Sequence, residues 1–261
     1  MKKEAGKKKR TRYIVGNWKM NQGLEEIDDF FEALESAGPL AEGVKAWIAP
    51  QSLHLERCLA KTRDLGLSIG AQNCFGEGEG AYTGEISPKA LQELGAHFCL
   101  VGHSERRTLF GEDDALLKAK AKGALSFGLV VIFCLGETLE EREAGKTFSV
   151  LEEQIALGLE GLDSDPDQLI LAYEPVWAIG SGLSATSEEI GKAHAFIRET
   201  VSKKLGAWAL ECPILYGGSV KPANAKDIFS VESVDGALVG GASLGPSDFR
   251  SLVSICAGEG R

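Results

Sequence analysis

The stretch Leu169-Ile-Leu-Ala-Tyr-Glu-Pro-Val-Trp-Ala-Ile-Gly-Ser-Gly182 sets out the organisation of the chain. Its first five residues, Leu169–Tyr173, are uniformly apolar and short. That is the signature of a strand buried on both faces. A carboxylate, Glu174, then ends the run, followed by Pro175, Trp177 and two glycines, Gly180 and Gly182. No helix starts at once. A loop therefore carries a charged group away from the tip of a buried strand.

The same unit recurs. Short apolar runs occupy Tyr13–Gly16, Val44–Ala49, Leu67–Ala71, Phe98–Val101, Leu129–Cys134, Leu169–Tyr173, Ile214–Tyr216 and Gly236–Val239. Amphipathic stretches separate them. Leu24–Leu34 puts Leu24, Ile27, Phe30, Phe31 and Leu34 on one helical face. Ser187 followed by Glu188 and Glu189 reads as a helix start, and Pro222 and Pro246 suit first turns. Strict alternation of strand and helix implies a parallel sheet with right-handed crossovers. Eight such units in 261 residues suit a closed (β/α)8 barrel. An open doubly wound sheet competes with it. No strand, however, is followed by GxGxxG, and there is no phosphate-binding loop of the GxxxxGK[ST] type.

Composition narrows the function. The chain is 44% hydrophobic and 25% charged, an ordinary globular balance. The six cysteines, Cys58, Cys74, Cys99, Cys134, Cys212 and Cys256, have no CxxC spacing and do not cluster with the four histidines. They predict no metal site, and read as reduced, buried thiols of a cytoplasmic protein. No apolar run approaches membrane-spanning length. The net charge of −10 is unevenly spread: residues 1–12 carry +6, leaving −16 on the rest. An acidic body does not fit a nucleic-acid binder. Residues 1–12 read as a solvated basic tail, with electrostatic attachment to an anionic surface or RNA as the alternative. Residues 13–261 read as one barrel domain.

In such barrels the active site lies at the C-terminal ends of the strands, so polar residues just past each apolar run are the candidates. After the first come Asn17 and Lys19, two apart and able to point to one side; the lysine suits a phosphate or a developing oxyanion. After the fourth comes Gly102-His-Ser-Glu-Arg106, where Ser104 reads as a helix cap. Backbone N–H groups there would donate to His103 and favour a neutral ring. Glu105 is placed to pair with Lys19 or with an arginine. After the sixth comes Glu174, a general-base candidate, although a cap or salt-bridge role is also open to a carboxylate. The stretch Pro175–Gly182 has the composition of a lid: proline for stiffness, Trp177 for packing, glycines for freedom. After the seventh and eighth come Gly217-Gly-Ser219 and Gly240-Gly241, in the two loops where barrel enzymes often bind phosphate. A carboxylate base, a neutral histidine, a lysine and a phosphate cradle suit proton abstraction beside a carbonyl in a small phosphorylated molecule, without a cofactor.

Six segments taken together resemble the triosephosphate isomerases: GNWKMN (16–21), GAYTGEISP (80–88), VGHSERR (101–107), AYEPVWAIGSG (172–182), YGGSVKPAN (216–224) and DGALVGGASL (235–244). They fall in the family's order and span residues 13 to about 256. The resemblance implies interconversion of dihydroxyacetone phosphate and D-glyceraldehyde 3-phosphate, a step of glycolysis and gluconeogenesis. It implies Glu174 as base, His103 as electrophile, and Lys19 and Asn17 on substrate oxygens. Ser104 and Glu105 would support them, and Gly180, Ser219, Gly240 and Gly241 would contact phosphate. It implies a lid of Pro175, Val176, Trp177, Ala178, Ile179, Ser181 and Gly182, closing over the ligand, a motion for which this family is a reference case. It also implies a homodimer, with Thr83 at the tip of a loop reaching the partner's site and Glu85 pairing with the partner's Arg106. One departure is Leu183-Ser184-Ala185 at the lid's second hinge, where many relatives carry Lys-Thr-Ala or Lys-Val-Ala. The expected consequence is altered closure kinetics with the chemistry retained.

Overall fold

The computed structural model describes residues 10–62, 65–180 and 184–258. Eight parallel strands close into a barrel in chain order: β1 (Arg12–Asn17), β2 (Val44–Ala49), β3 (Leu67–Ala71), β4 (Phe98–Val101), β5 (Val130–Leu135), β6 (Leu169–Tyr173), β7 (Ile214–Tyr216) and β8 (Gly236–Val239). The ring shuts where β1 pairs with β8, Tyr13 opposite Gly236. Outside it run the helices α1 (Leu24–Ser36), α2 (Leu55–Lys61), α3 (Pro88–Leu94), α4 (Ser104–Phe110), α5 (Asp114–Ser126), α6 (Leu139–Glu143), α7 (Thr147–Leu159), α8 (Ser187–Leu205), α9 (Pro222–Phe229) and α10 (Pro246–Ala257). The expected (β/α)8 barrel is the observed one.

Period-two alternation with both faces buried explains why the strands are apolar along most of their length. Tyr13, Val15, Trp47, Phe98, Leu100, Val130, Ile132, Cys134, Ile170, Ala172, Leu215 and Leu238 form one buried cluster that fills the barrel. The intervening residues, such as Ile14, Val131, Phe133 and Leu171, join a second cluster beneath the helices. Trp47 stacks on Phe98 at 4.8 Å, and Tyr13 meets Trp47 edge-on at 4.9 Å. The alternation also decides the mouth. Continued by two residues, the inward series of β1, β5, β6, β7 and β8 ends on Asn17, Gly136, Glu174, Gly217 and Gly240. Glu174 is thus delivered to the top of the barrel with glycines in register beside it.

Four expectations change. β5 begins at Val130, one residue later than the apolar run. Leu24 is 55% exposed, and only Ile27, Phe30, Phe31 and Leu34 of its predicted face are buried. α8 is capped by Thr186, not Ser187, because Thr186 accepts from the Glu189 N–H and Glu189 answers from three residues on. Finally, the barrel starts before residue 13: Arg12 opens β1 and reaches the Cys256 carbonyl, while Arg10 holds Asp235 at 2.8 Å. Arg10, Thr11 and Arg12 are therefore not part of a free tail; residues 1–9 lie outside the described residues.

Candidate active site

Glu174 leaves β6 with its backbone N–H bonded to the Leu135 carbonyl of β5 at 2.8 Å. Its side chain is 2% exposed. Oε2 accepts from the Ser104 N–H at 2.8 Å, and Oε1 lies 3.2 Å from His103 Nε2 without hydrogen-bond alignment. One carboxylate oxygen is thus anchored while the other is buried with no donor. That is a costly ground state and leaves a lone pair for an incoming proton.

His103 comes from the turn after β4, where Gly102 takes φ +78°. It is His103, not Ser104, that caps α4. Its Nδ1 accepts from the Glu105 N–H at 3.3 Å. An Nδ1 that accepts has no proton, so the neutral ring carries its proton on Nε2, the atom facing Glu174 and the cavity. Ser104 becomes the first helical residue, and its contribution is the N–H that holds Glu174.

Lys19 sits opposite with φ +51°, a left-handed backbone rare for a side-chain-bearing residue. Three contacts impose it. Asn17 Oδ1 accepts from the Lys19 N–H at 3.0 Å, Gln72 donates to the Lys19 carbonyl at 2.8 Å, and the Trp18 indole donates to the Ser243 carbonyl at 3.0 Å. Lys19 Nζ pairs with Glu105 at 2.6 Å, one of the two pairings the sequence left open. Asn17, Lys19, His103 and Glu174 line one small cavity of about 160 Å³ with Ile179, Gly180, Ser219, Gly240 and Gly241. All four polar candidates and all four candidate phosphate contacts therefore meet in one place.

Two glycines make room for Glu174. A Cβ on Gly136 would stand 1.8 Å from the Glu174 carbonyl oxygen, and one on Gly217 would stand 2.7 Å from Glu174 Cγ. Gly217 N–H donates to the Tyr173 carbonyl at 2.7 Å. Sequence reading gave Gly217 a phosphate role and missed its steric one; it passed over Gly136.

Sequence reading also missed Glu137. Its carboxylate is fully buried and takes the Trp177 indole N–H at 2.9 Å and the Tyr173 hydroxyl at 3.1 Å, while its backbone oxygen takes the Val176 N–H at 3.0 Å. Burial pushes its pKa up, opposed by those donors. Arg142 lies 4.2 Å above the Trp177 ring. The first part of the segment expected to be a lid, Pro175 to Ala178, is thus moored in a short 3-10 turn at Val176–Ala178. Ser181, Gly182 and Leu183 lie outside the described residues. The only sequence signal for Glu137 was an acidic residue three past the fifth apolar run, as Glu174 stands one past the sixth.

A second, wider groove opens beside the site. Asn17, Lys19, Gln51, Asn73, Ile86, His103 and Arg106 line it, and Met20, Leu53, Leu109 and Phe110 stand 66–88% exposed in the loops and helix around the mouth. Thr83 and Glu85 are exposed. Arg106 pairs with Glu112 of its own chain at 2.6 Å, and Glu112 in turn takes the buried Lys120 ammonium at 2.5 Å. Among the described residues no group of three or more His, Cys, Asp or Glu side chains could hold a metal ion.

Comparison with known proteins agrees with this geometry. A family model described as triosephosphate isomerase matches residues 12–256. The chain belongs to the triosephosphate isomerase family. The triosephosphate isomerase of Syntrophotalea carbinolica is 45% identical over 248 residues, covering 94% of this chain and 98% of that one. That of Geobacter metallireducens is 46% identical over 247 residues, with 94% and 98% covered. The family match begins at Arg12, the first residue of β1, and ends at Cys256, on the last turn of α10. It therefore spans the closed barrel with every candidate residue at its mouth.

Proposed function

We propose that this chain interconverts dihydroxyacetone phosphate and D-glyceraldehyde 3-phosphate through an enediolate, with Glu174 as the base. The observation that carries the assignment is Glu174 Oε1, buried without a donor and 3.2 Å from His103 Nε2 at the floor of the cavity. In this reading Glu174 removes a proton from the carbon beside the carbonyl. His103 donates from Nε2 to the oxygens that become negative, and Lys19 and Asn17 add positive charge and a donor on the same side. The phosphate lies against the backbone of Gly180, Ser219, Gly240 and Gly241. The hydroxyl proton passes from one oxygen to the other by way of His103 Nε2, and returning the carbon-bound proton to the neighbouring carbon completes the isomerisation, so no electrons leave the substrate and no cofactor is consumed. The small cavity suits a triose, and a lid from Pro175 to Gly182 keeps water from the enediolate and retains the phosphate.

The active unit in this proposal is a homodimer. The groove beside Lys19, with exposed Met20, Leu53, Leu109 and Phe110 around it, offers the apolar surface a partner would cover. Thr83 of the partner subunit would enter it near Asn17. Arg106 would then serve two carboxylates, its own Glu112 and the partner subunit's Glu85. Six buried free thiols suit a reducing compartment such as the cytoplasm. Among the described residues no helix is long and apolar enough to cross a membrane.

The deciding experiment supplies D-glyceraldehyde 3-phosphate and follows NADH oxidation through glycerol-3-phosphate dehydrogenase, for the parent and for Glu174→Gln. The parent turns over rapidly, and the variant loses at least the roughly 10²–10⁴-fold that positioned proton transfer provides, with its fold intact. A folded variant within tenfold of the parent removes Glu174 from this role.

A further inference from the structure

Gln154 has no part in the chemistry above, yet its amide is committed at both ends to one residue. It lies on α7, outside the barrel. Its Oε1 accepts from the Gly136 N–H at 2.9 Å, and its Nε2 donates to the Gly136 carbonyl at 3.1 Å. Gly136 is the junction between β5 and Glu137. Three things hang on that junction. The Glu174 N–H is bonded to Leu135, one residue before it. The Glu174 carbonyl packs against the space where Gly136 lacks a Cβ. Glu137, one residue after it, moors Trp177 and Val176 of the lid.

The helix does not need this clamp in order to dock. Leu151, Ile155 and Leu159 of α7 are already buried, and Gly158 packs on Phe133, where a Cβ would stand 2.5 Å from the ring. What the clamp adds is a fixed height and orientation for one peptide segment at the mouth. We propose that Gln154 is a positioning residue for the isomerisation: by gripping Gly136 it sets where the backbone of Glu174 stands and where the lid is rooted. This rests on the assignment of Glu174 as base.

Three variants test it, with kcat expressed per folded enzyme. Gln154→Ala lowers kcat by about 10- to 100-fold, the size of effect a small misplacement of a reacting group produces, with KM within about threefold. Gln154→Glu keeps the shape of the side chain. As a neutral acid it can both accept from and donate to Gly136; as a carboxylate it can only accept, and it faces the Gly136 carbonyl. The ratio of parent to Gln154→Glu turnover therefore shrinks as pH falls through the titration of the new carboxyl, a profile a purely structural staple would not produce. In a Glu174→Gln background, Gln154→Ala adds less than about a twofold further loss, because the group it positions is already disabled.

Turnover by both Gln154 variants within about twofold of the parent, or a full additional loss in the Glu174→Gln background, overturns the proposal. If Gln154→Ala does not fold, a pH-independent ratio for Gln154→Glu overturns it alone. An active Glu174→Gln enzyme would instead sink the assignment of the base, so the two failures are distinguishable.

Discussion

Glu174 is bounded on both sides by residues defined by what they lack. Gly136 and Gly217 occupy inward-facing positions on the neighbouring strand ends; a methyl group on the first would overlap the Glu174 backbone, and one on the second its side chain. Gly217→Ala places its new carbon 2.7 Å from Glu174 Cγ, so the side chain must rotate away from the cavity. The expected result is a fall in kcat of about 100-fold from displacement of the base, with about 1–3 kcal/mol lost to overpacking. Steady-state kinetics beside a thermal melt checks both. Unchanged kcat in a folded Gly217→Ala enzyme would mean that the base tolerates displacement. Glu174, His103, Lys19 and Asn17 were legible in the sequence because each is a polar residue stranded at the end of an apolar run. Gly136, Gln72 and Gln154 were not. Their roles exist only in the register of β5 against β6 for Gly136, in the bonds of Gln72 to the Lys19 and Ala49 carbonyls of other units, and in the reach of an outer helix for Gln154, and none of these is written in local spacing.

Elements were legible wherever composition alone decides them. Six of the eight strands, β2, β3, β4, β6, β7 and β8, run over the same residues as their apolar stretches. Helix starts were harder because neighbouring residues compete to cap them. Thr186 prevails over Ser187 since Glu189 stands three residues beyond it, and the His103 ring takes the position that Ser104 was expected to fill. The lid was legible as a loop, but its mooring was not, since that depends on Glu137 from a different unit. Two predictions follow from the mooring. If the lid moves over ligand, the environment of the Trp177 indole changes, so its fluorescence shifts on saturation with 2-phosphoglycolate and the shift is lost in Trp177→Phe. No shift in the parent argues against closure. The second concerns Glu137, whose folded pKa is raised, chiefly by burial. A raised carboxyl pKa means that its contribution to stability is full below the unfolded value, near 4.5, and is lost as pH rises through the folded value. Glu137→Gln removes that titration. The parent therefore loses stability relative to the variant as pH rises above about 4.5, while the variant, with a single oxygen for two donors, holds the lid less firmly and loses kcat/KM. Denaturant titrations at several pH values that run parallel for the two proteins would exclude this.

At the scale of the whole molecule, the mouth carries the chemistry and the opposite end carries the closure. β7 and β8 share a single paired position, Tyr216 with Ala237, so the seam needs other support. Asp235 supplies it, taking Arg10 at 2.8 Å, Arg198 at 2.7 Å and the Ile214 N–H at 2.9 Å, while its carbonyl takes the Tyr13 N–H. Asp235→Ala strands two guanidinium groups. It should cost about 3–5 kcal/mol, as breaking a buried ion pair does, yet leave kcat of the folded fraction unchanged, because none of Asp235, Arg10 and Arg198 lines the cavity. Next to this seam His194 of α8 is wholly buried, with Nδ1 on the Ser233 carbonyl at 3.2 Å, Nε2 without a partner, and its ring edge-on to Tyr173 at 5.8 Å. Burial is the main cause that lowers its pKa from 6.5 to about 3, with the Arg198 charge adding to it and the Ser233 bond opposing it. A depressed histidine pKa contributes stability that is present above the unfolded value and is lost as pH falls toward the folded one. The window is thus pH 6.5 down to about 3, and the loss reaches about 2 kcal/mol by pH 5. His194→Gln keeps a donor for Ser233 and removes the titration. Whatever the variant loses at pH 7, its deficit against the parent should narrow steadily as pH falls from 6.5 to 4. A deficit constant across that range would show that His194 does not link the closure of this barrel to acid.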